Sequence, residues 1–281
     1  MTKLVELLKT TQSEKLNTLK LGFEAQVLTV TLNRPNARNA MNMTMVDELL
    51  EVFAAIEDDA NIRAVILRGA AANFCAGGDI KDMSQARQAV SEDSQAFYRL
   101  NRRFGELITR VNACPVVVVA VLEGAVLGGG FGLACVSDVA ICHRKAQFGL
   151  PESGLGIPPA QIAAFVVQRI GLTQARRLAL LGTRFNGAEA YRLGLVHFVC
   201  DDDEAVERKL RDTLAELRSC APNANRVTKK IIQAVGHQPL EQLLDEAAEA
   251  FSQAVQSDEG VEGTTAFVGK RLPEWAKAGD A

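Results

Sequence analysis

The feature that most constrains the fold is a stretch of seven residues, Pro115 to Val121, that is apolar at every position. A strand with one face in water alternates apolar and polar residues, so a strand that is apolar throughout is covered on both faces. Strands of this kind occur in parallel sheets that carry helices above and below. The run therefore predicts an α/β fold built on a mainly parallel sheet.

Strand and helix patterns alternate through the first two thirds of the chain. Val27–Leu32 and Ala64–Leu67 are short apolar β-rich runs, and Met43–Glu57 between them has apolar residues at helical spacing. The alternation continues further along the chain. It predicts a helix at 97–111, a helix of small residues at 128–135 and a strand at 139–142. Repeated crossovers of this type build an α/β core.

From about Asp201 the pattern changes to helices with no strand between them. Three amphipathic patterns follow one another at 204–217, 224–235 and 240–256. We therefore predict a core over residues 1–200 and a helical region over residues 201–281.

Composition excludes several classes of protein. The 281 residues are 48% hydrophobic and 23% charged, which is typical of a globular chain with a sizeable core. Lysine and arginine number 31 against 34 aspartates and glutamates, so there is no basic excess for binding nucleic acid. No apolar run approaches the roughly 20 residues of a membrane helix, and Met1–Leu21 lacks a signal-peptide core. We expect a cytoplasmic protein that binds neither nucleic acid nor membranes.

Cysteine and histidine spacing gives no support for a metal site. The six cysteines form no CxxC pair, and His143, His197 and His237 are far apart in the chain. Thiols in apolar segments of a cytoplasmic protein are expected to be small buried side chains. We predict no metal.

The sequence does not match the common glycine-containing motifs of nucleotide-binding proteins and hydrolases. Gly128–Gly132 has no following Lys-Ser/Thr pair, so it is not a phosphate-binding P-loop, and Pro159 stands where a dinucleotide fingerprint after Gly154 needs its third glycine. The GxSxG motif of serine hydrolases is also absent. Nucleotide hydrolysis, hydride transfer and serine-hydrolase chemistry therefore lack their usual signatures.

Two loops of small residues remain, and each follows a predicted buried strand. They are Asn73–Met83 and Gly124–Gly132. Glycine lets a ligand approach the backbone, and a helix that begins near Gly129 directs free N–H groups outward. One N–H from each loop could form an oxyanion hole, whereas either loop alone is also compatible with a tight turn.

Five stretches together resemble the crotonase (enoyl-CoA hydratase/isomerase) superfamily. They are Leu32–Met41, Phe74–Met83, Gly124–Gly130, Phe148–Gly156 and Ala266–Pro273. The resemblance implies a ClpP-like crotonase spiral of β-β-α turns with a C-terminal α-helical trimerisation region, and a homo-trimer or a homo-hexamer that is a dimer of trimers. It also implies an acyl-CoA substrate and no cofactor beyond the coenzyme A that the substrate carries.

Residue roles carried over from the family fall on both glycine-rich loops and on the tail. The backbone N–H groups of Ala76 and Gly129 are expected to hold the thioester oxygen, with Glu152 as the general acid and base. The expected positions that bind substrate or coenzyme A are Arg38, Ala40, Ala76, Gly77, Asp79, Ile80, Gly129, Gly132, Phe267 and Lys270.

Gly132 departs from the family pattern, in which hydratases usually carry a first glutamate at this position. A lone carboxylate at Glu152 could move a proton from the α to the γ carbon, which is Δ3-Δ2 enoyl-CoA isomerase chemistry. However, some members that hydrate branched substrates also lack the first glutamate, and Gly149–Ile162 most resembles isohexenylglutaconyl-CoA hydratases of acyclic terpene degradation. Glycine would also leave volume for a branch. We favour hydration of a branched isohexenylglutaconyl- or methylglutaconyl-like enoyl-CoA.

Other possibilities stay open from the sequence. A non-catalytic crotonase-fold binding protein would not need Glu152, and dehalogenase or decarboxylase chemistry would need a different acid or nucleophile. A substrate carboxylate would favour a nearby cation, for which Arg99, Arg102 and Arg103 are candidates, although these arginines also suit a solvated helix face.

Overall fold

A computed structural model describes residues 16–57 and 59–277, and the chain divides into two compact units. The first unit comprises the described residues up to Cys114 together with Val118–Leu210. The second comprises Pro115–Val117 and the residues from Arg211 onward. The functional division into residues 1–200 and 201–281 stays a prediction.

A six-stranded sheet forms the centre of the first unit. Its strands in spatial order are β1 (Leu19–Glu24), β2 (Val27–Leu32), β3 (Ala64–Gly69), β4 (Val117–Leu122), β6 (Val139–His143) and β9 (Phe198–Cys200). β1 is antiparallel to β2, whereas the β2–β3, β4–β6 and β6–β9 pairs are parallel. Val118 to Leu122 in β4 are fully buried. The mainly parallel sheet predicted from the apolar run is therefore confirmed.

A smaller sheet of three short strands packs around an aromatic cluster. The strands are β5 (Ala125–Leu127), β7 (Gln147–Gly149) and β8 (Arg184–Asn186). The rings of Phe131, Phe148 and Phe185 contact one another at centroid distances of 5.7 to 6.4 Å. Strands of three residues are too short to show a periodic pattern, and the sequence did not predict them.

Ten helices are present among the described residues. In the first unit they are α1 (Met43–Glu57), α2 (Ile80–Ala89), α3 (Ala96–Ala113), α4 (Gly129–Val136), α5 (Ala163–Leu181) and α6 (Gly187–Arg192), followed by α7 (Asp203–Ser219), which extends into the second unit. The second unit contains α8 (Pro222–Ala234), α9 (Leu240–Gln256) and α10 (Asp258–Val268). The six predicted helices are confirmed to within two residues at each end, and no described helix is long and apolar enough to cross a membrane.

Backbone pairing joins the loops that the sequence singled out. The N–H of Cys75 donates to the carbonyl of Ala125 at 2.8 Å, and the N–H of Leu127 donates to the carbonyl of Cys75 at 2.9 Å. Met41 likewise forms a parallel β-bridge with Gly78. The loops after β2, β3 and β4 are therefore held side by side.

Candidate active site

A cavity of about 120 Å³ lies where these loops meet α3 and the segment before α5. Much of its wall is apolar, with contributions from Met41, Val46, Leu100, Phe104, Ile157 and Ile162. Polar side chains on the wall are Asp79, Asp82, Asn101, Glu152 and Gln161. A mostly apolar cavity with few polar groups is the usual form of a small-molecule site.

Glu152 brings a buried carboxylate to this cavity. It sits in the short 3₁₀ helix Pro151–Leu155, and its Oε2 is buried with no hydrogen-bond partner among the described residues. Burial raises the pKa of this carboxyl above its ordinary value of 4.5. A carboxyl with a raised pKa keeps its proton to higher pH than an ordinary glutamate, which suits general acid–base chemistry.

Glu152 is packed directly against the glycine loop. A Cβ atom added to Gly128 would lie 2.7 Å from Oε1 of Glu152, and Gly128 has a φ of +50°. Glycine is therefore needed here both for the backbone conformation and for the close approach of the carboxylate. Gly129, the next residue, is the first residue of α4 and lines the cavity. The N–H groups of a first helical turn have no partner within the helix.

Gly78 brings a second backbone N–H to the cavity wall. The N–H of Met41 donates to the carbonyl of Gly77, and the N–H of Asp79 donates to the carbonyl of Met41, both at 2.8 Å. Successive residues of an extended chain direct their N–H groups to opposite sides, so the N–H of Gly78 points away from Met41. Gly78 also lines the cavity.

The structure places the sequence-predicted donor Ala76 elsewhere. Its N–H donates to the carbonyl of Arg38 at 3.1 Å and is occupied, and Ala76 does not line the cavity. Gly78, two residues later, does line the cavity. The structure therefore does not support Ala76 as a donor to a bound thioester, because its N–H already has a partner within the chain.

Gly132 is also not in the cavity wall. A Cβ atom at this position would overlap Cγ2 of Ile162 and would lie 2.7 Å from Cδ1 of Ile108. These two isoleucines fill the volume that the sequence analysis assigned to a branched substrate. The expectation of free space beside Gly132 is therefore corrected.

Two of the predicted coenzyme A positions, Ala40 and Asp79, are joined by Arg34. Arg34 contacts Asp79 at 2.7 Å and donates to the carbonyl of Ala40. Burial opposes ionisation of Asp79, but the N–H of Lys81 and the Arg34 guanidinium outweigh it and lower the pKa of this carboxyl. Arg34 was missed because its role depends on a partner distant in the sequence.

Two further predicted contacts are exposed to solvent beside these groups. Arg38 has a left-handed backbone conformation with a φ of 47°, and Ile80 at the start of α2 is 77% exposed. In the second unit, the side chain of Phe267 is 86% exposed and Lys270 is exposed as well.

The three arginine candidates on α3 have different partners. Arg99 pairs with Asp93, and Arg103 pairs with Asp47 and Glu106. In contrast, Arg102 donates to the amide oxygen of Gln161, which lines the cavity, at 3.4 Å. Neither Gln161 nor its neighbour Asn101 was singled out from the sequence, because isolated amides carry no motif.

A family model described as enoyl-CoA hydratase/isomerase matches residues 22–278. The chain belongs to this family. The short-chain-enoyl-CoA hydratase of Clostridium acetobutylicum is 31% identical, over 94% of this chain and 99% of that protein. A probable enoyl-CoA hydratase of Bacillus subtilis is 30% identical, over 92% of this chain and 99% of that protein.

Solved structures agree with the family assignment. Pseudomonas aeruginosa AtuE is 59% identical with a TM-score of 0.91, over 93% of this chain and 100% of that chain. An enoyl-CoA hydratase/isomerase from Marinobacter aquaeolei is 52% identical with a TM-score of 0.89, over 92% of this chain and 99% of that chain. The predicted crotonase fold and enoyl-CoA hydratase class are therefore confirmed.

Proposed function

We propose that this enzyme hydrates a branched α,β-unsaturated acyl-CoA of the isohexenylglutaconyl or methylglutaconyl type, with the enolate held in an oxyanion hole. The observation that carries the proposal is the unpartnered Oε2 of Glu152, buried in a cavity that Gly78 and Gly129 also line. The choice of a branched acyl chain rests on the resemblance of Gly149–Ile162 to hydratases for such substrates. The cytoplasm is the compartment we expect for this reaction.

The thioester oxygen is proposed to accept hydrogen bonds from the N–H groups of Gly78 and Gly129. Negative charge grows on this oxygen as a nucleophile adds to the β carbon, so donors fixed at this point stabilise the transition state more than the substrate. The dipole of α4 adds a positive end at Gly129. These donors need no reorganisation, because the backbone pairing of Met41 already orients one of them.

Glu152 is proposed to transfer the proton in both directions. It accepts a proton from water as the water oxygen bonds to the β carbon, and it then donates that proton to the α carbon of the enolate. The other two carboxylates on the wall are engaged, since Asp79 pairs with Arg34 and Asp82 accepts the N–H of Met43 at 2.6 Å. Glu152 is therefore the carboxylate best suited to this role.

Coenzyme A is proposed to lie along Arg38, Ala40, Gly77, Asp79 and Ile80. Phe267 and Lys270 are proposed to contact its adenine and phosphate, in the same chain or from another subunit. A trimer, or a hexamer of two trimers, is part of the proposal. No cofactor other than the substrate's own coenzyme A takes part.

Double-bond isomerisation is the second candidate. The observation that favours it is Gly132, because the position of a second carboxylate is filled by Ile162 and Ile108. One carboxylate is sufficient to move a proton from the α to the γ carbon.

The test is an assay of the purified enzyme with crotonyl-CoA, 3-methylcrotonyl-CoA, 3-methylglutaconyl-CoA and a 3-enoyl-CoA in H₂¹⁸O. Hydration adds ¹⁸O to the product, whereas isomerisation leaves the mass unchanged. We expect ¹⁸O in the branched products, and Glu152→Gln should lower the rate by roughly 10²–10⁴-fold. Double-bond migration without ¹⁸O would replace the hydratase proposal by the isomerase, and a fully active Glu152→Gln would refute both.

A further inference from the structure

Asn101 and Gln161 form a polar patch on the cavity wall between α3 and the segment before α5. Nε2 of Gln161 lies 2.8 Å from Oδ1 of Asn101, and Oε1 of Gln161 lies 3.4 Å from Nη1 of Arg102. Both amides line the cavity. Leu100 and Phe104, on the same helix as Asn101, add apolar side chains to the cavity wall.

The partners determine which way each amide points. A guanidinium can only donate, so the atom of Gln161 that faces Arg102 is its oxygen, and its NH₂ group faces Asn101. The oxygen of Asn101 accepts this hydrogen bond from Gln161, so the NH₂ group of Asn101 points away from Gln161. Three N–H donors are therefore left on the pair, and none has a further hydrogen bond within the described part of the chain.

The local packing is built around this arrangement. A Cβ atom added to Gly105 on α3 would lie 2.5 Å from Nη1 of Arg102 and 2.8 Å from Cδ of Gln161. The lack of a side chain at Gly105 is therefore what lets the arginine and the glutamine meet beside the helix.

We propose that Asn101 and Gln161 bind a carboxylate on the acyl part of the substrate, with Arg102 acting as a positioning residue through Gln161. The inference rests on the proposed function, because it assigns the acyl end of the same cavity. Asn101 and Gln161 are half-buried, so water can reach the three N–H donors when the cavity holds no ligand. A hydrocarbon chain against this wall would displace that water and offer no acceptor in its place. A carboxylate accepts hydrogen bonds from several donors, and the positive charge of Arg102 favours an anion over a neutral oxygen.

Two matched substrates isolate this contact. 3-Methylglutaconyl-CoA and 3-methylcrotonyl-CoA share the same branch and differ in the free carboxylate. The quantity to measure is the ratio of their kcat/KM values in the wild type, in Gln161→Leu and in Asn101→Leu. We expect the wild type to favour the carboxylated substrate, and each variant to lower the ratio by about 10- to 150-fold, the range for a hydrogen bond to a charged group.

Gln174→Leu is the matched control, because Gln174 is also a glutamine held by an arginine, Arg177, but it does not line the cavity. The ratio of the two kcat/KM values in Gln174→Leu should equal that of the wild type. Equal losses on both substrates in Gln161→Leu would overturn the inference, since they would indicate that the amides orient water or support the fold.

Calorimetric binding of saturated analogues keeps the test independent of turnover. The wild type should bind 3-methylglutaryl-CoA more tightly than isovaleryl-CoA, and Gln161→Leu should lose that difference. Discrimination in binding by a protein that hydrates neither substrate would uphold the inference and refute the proposed function. Hydration of both substrates without discrimination in binding would uphold the proposed function and refute the inference.

Discussion

Ile162 occupies the space in which a side chain at Gly132 would have to lie. A Cβ atom on Gly132 overlaps Cγ2 of Ile162, and Cδ1 of Ile108 closes the same space from α3. Ile162 also lines the cavity. The space beside Gly132 is thus filled by apolar side chains, whereas Glu152 brings a carboxylate to the cavity wall.

Adding a glutamate at Gly132 should therefore damage the fold rather than improve hydration. We expect Gly132→Ala to lower the free energy of unfolding by about 1–3 kcal/mol, the usual cost of overpacking, and Gly132→Glu to lower it further. Urea denaturation followed by circular dichroism measures both. Gly154→Ala is the control, since a Cβ atom at Gly154 meets nothing within 4 Å. Unchanged stability of Gly132→Ala would contradict the packing described here.

Removing the N–H of Gly129 tests the oxyanion hole. Proline is tolerated in the first turn of a helix but lacks the donor, so Gly129→Pro should fold and lose about 10²–10³-fold in kcat. Gly129→Ala keeps the N–H while adding a Cβ atom against Met41 and Phe104, and it therefore separates crowding from the loss of the donor. Equal activity of the two variants would exclude Gly129 as a donor.

Neutralising Glu152 should stabilise the protein as well as inactivate it. The pKa of this carboxyl is raised in the folded state, so the folded state binds more protons than the unfolded one, and stability falls as pH rises above about 4.5. Glu152→Gln removes this penalty, and its melting temperature should exceed that of the wild type at pH 7 but not at pH 4. A lower melting temperature of Glu152→Gln at pH 7 would show that the ionised carboxylate has partners in the folded protein.

His197 should make the protein less stable in mild acid. Its Nδ1 accepts the N–H of Ala140 at 2.9 Å and lies 3.5 Å from the Arg169 guanidinium. Burial and Arg169 lower the pKa of His197 below 6.5, although Asp138 opposes the shift. The unfolded state therefore binds the proton more readily, and stability is lost as pH falls below 6.5.

The matched variant for this prediction is His197→Asn, in which an amide oxygen can accept the Ala140 N–H without titrating. The decrease in melting temperature from pH 7 to pH 5 should be smaller in this variant than in the wild type. An identical decrease in both proteins would rule out His197 as the cause.

The apolar stripe on α9 should be an interface between copies of the chain. Leu240, Leu244, Phe251 and Val255 are each at least 44% exposed and recur at helical spacing. Light scattering should return three or six times the chain mass of 30.3 kDa. Phe251→Asp should reduce this mass, whereas Gln253→Asp on the same helix should not. A wild-type mass near 30.3 kDa would refute the interface.

The sequence by itself determined the elements and the chemistry of the loops. The apolar residues of β4 predicted a sheet covered on both faces, and helical spacing located α1 and α9 with their observed ends. The motif around Glu152 singled out a carboxylate that the structure places in the cavity wall. These features depend on local periodicity or on short contiguous motifs, which a linear sequence contains in full.

Only the tertiary structure decided which groups meet. The pairing of Met41 with Gly78 directs the N–H of Gly78 away from Met41, and the N–H of Ala76 is bonded to the carbonyl of Arg38. Ile162 fills the space beside Gly132, and Asn101 meets Gln161 across a separation of 60 residues. Strand register and helix packing set these contacts, and a shift of one residue reverses the direction of every group along a strand. No local pattern in the sequence encodes that choice.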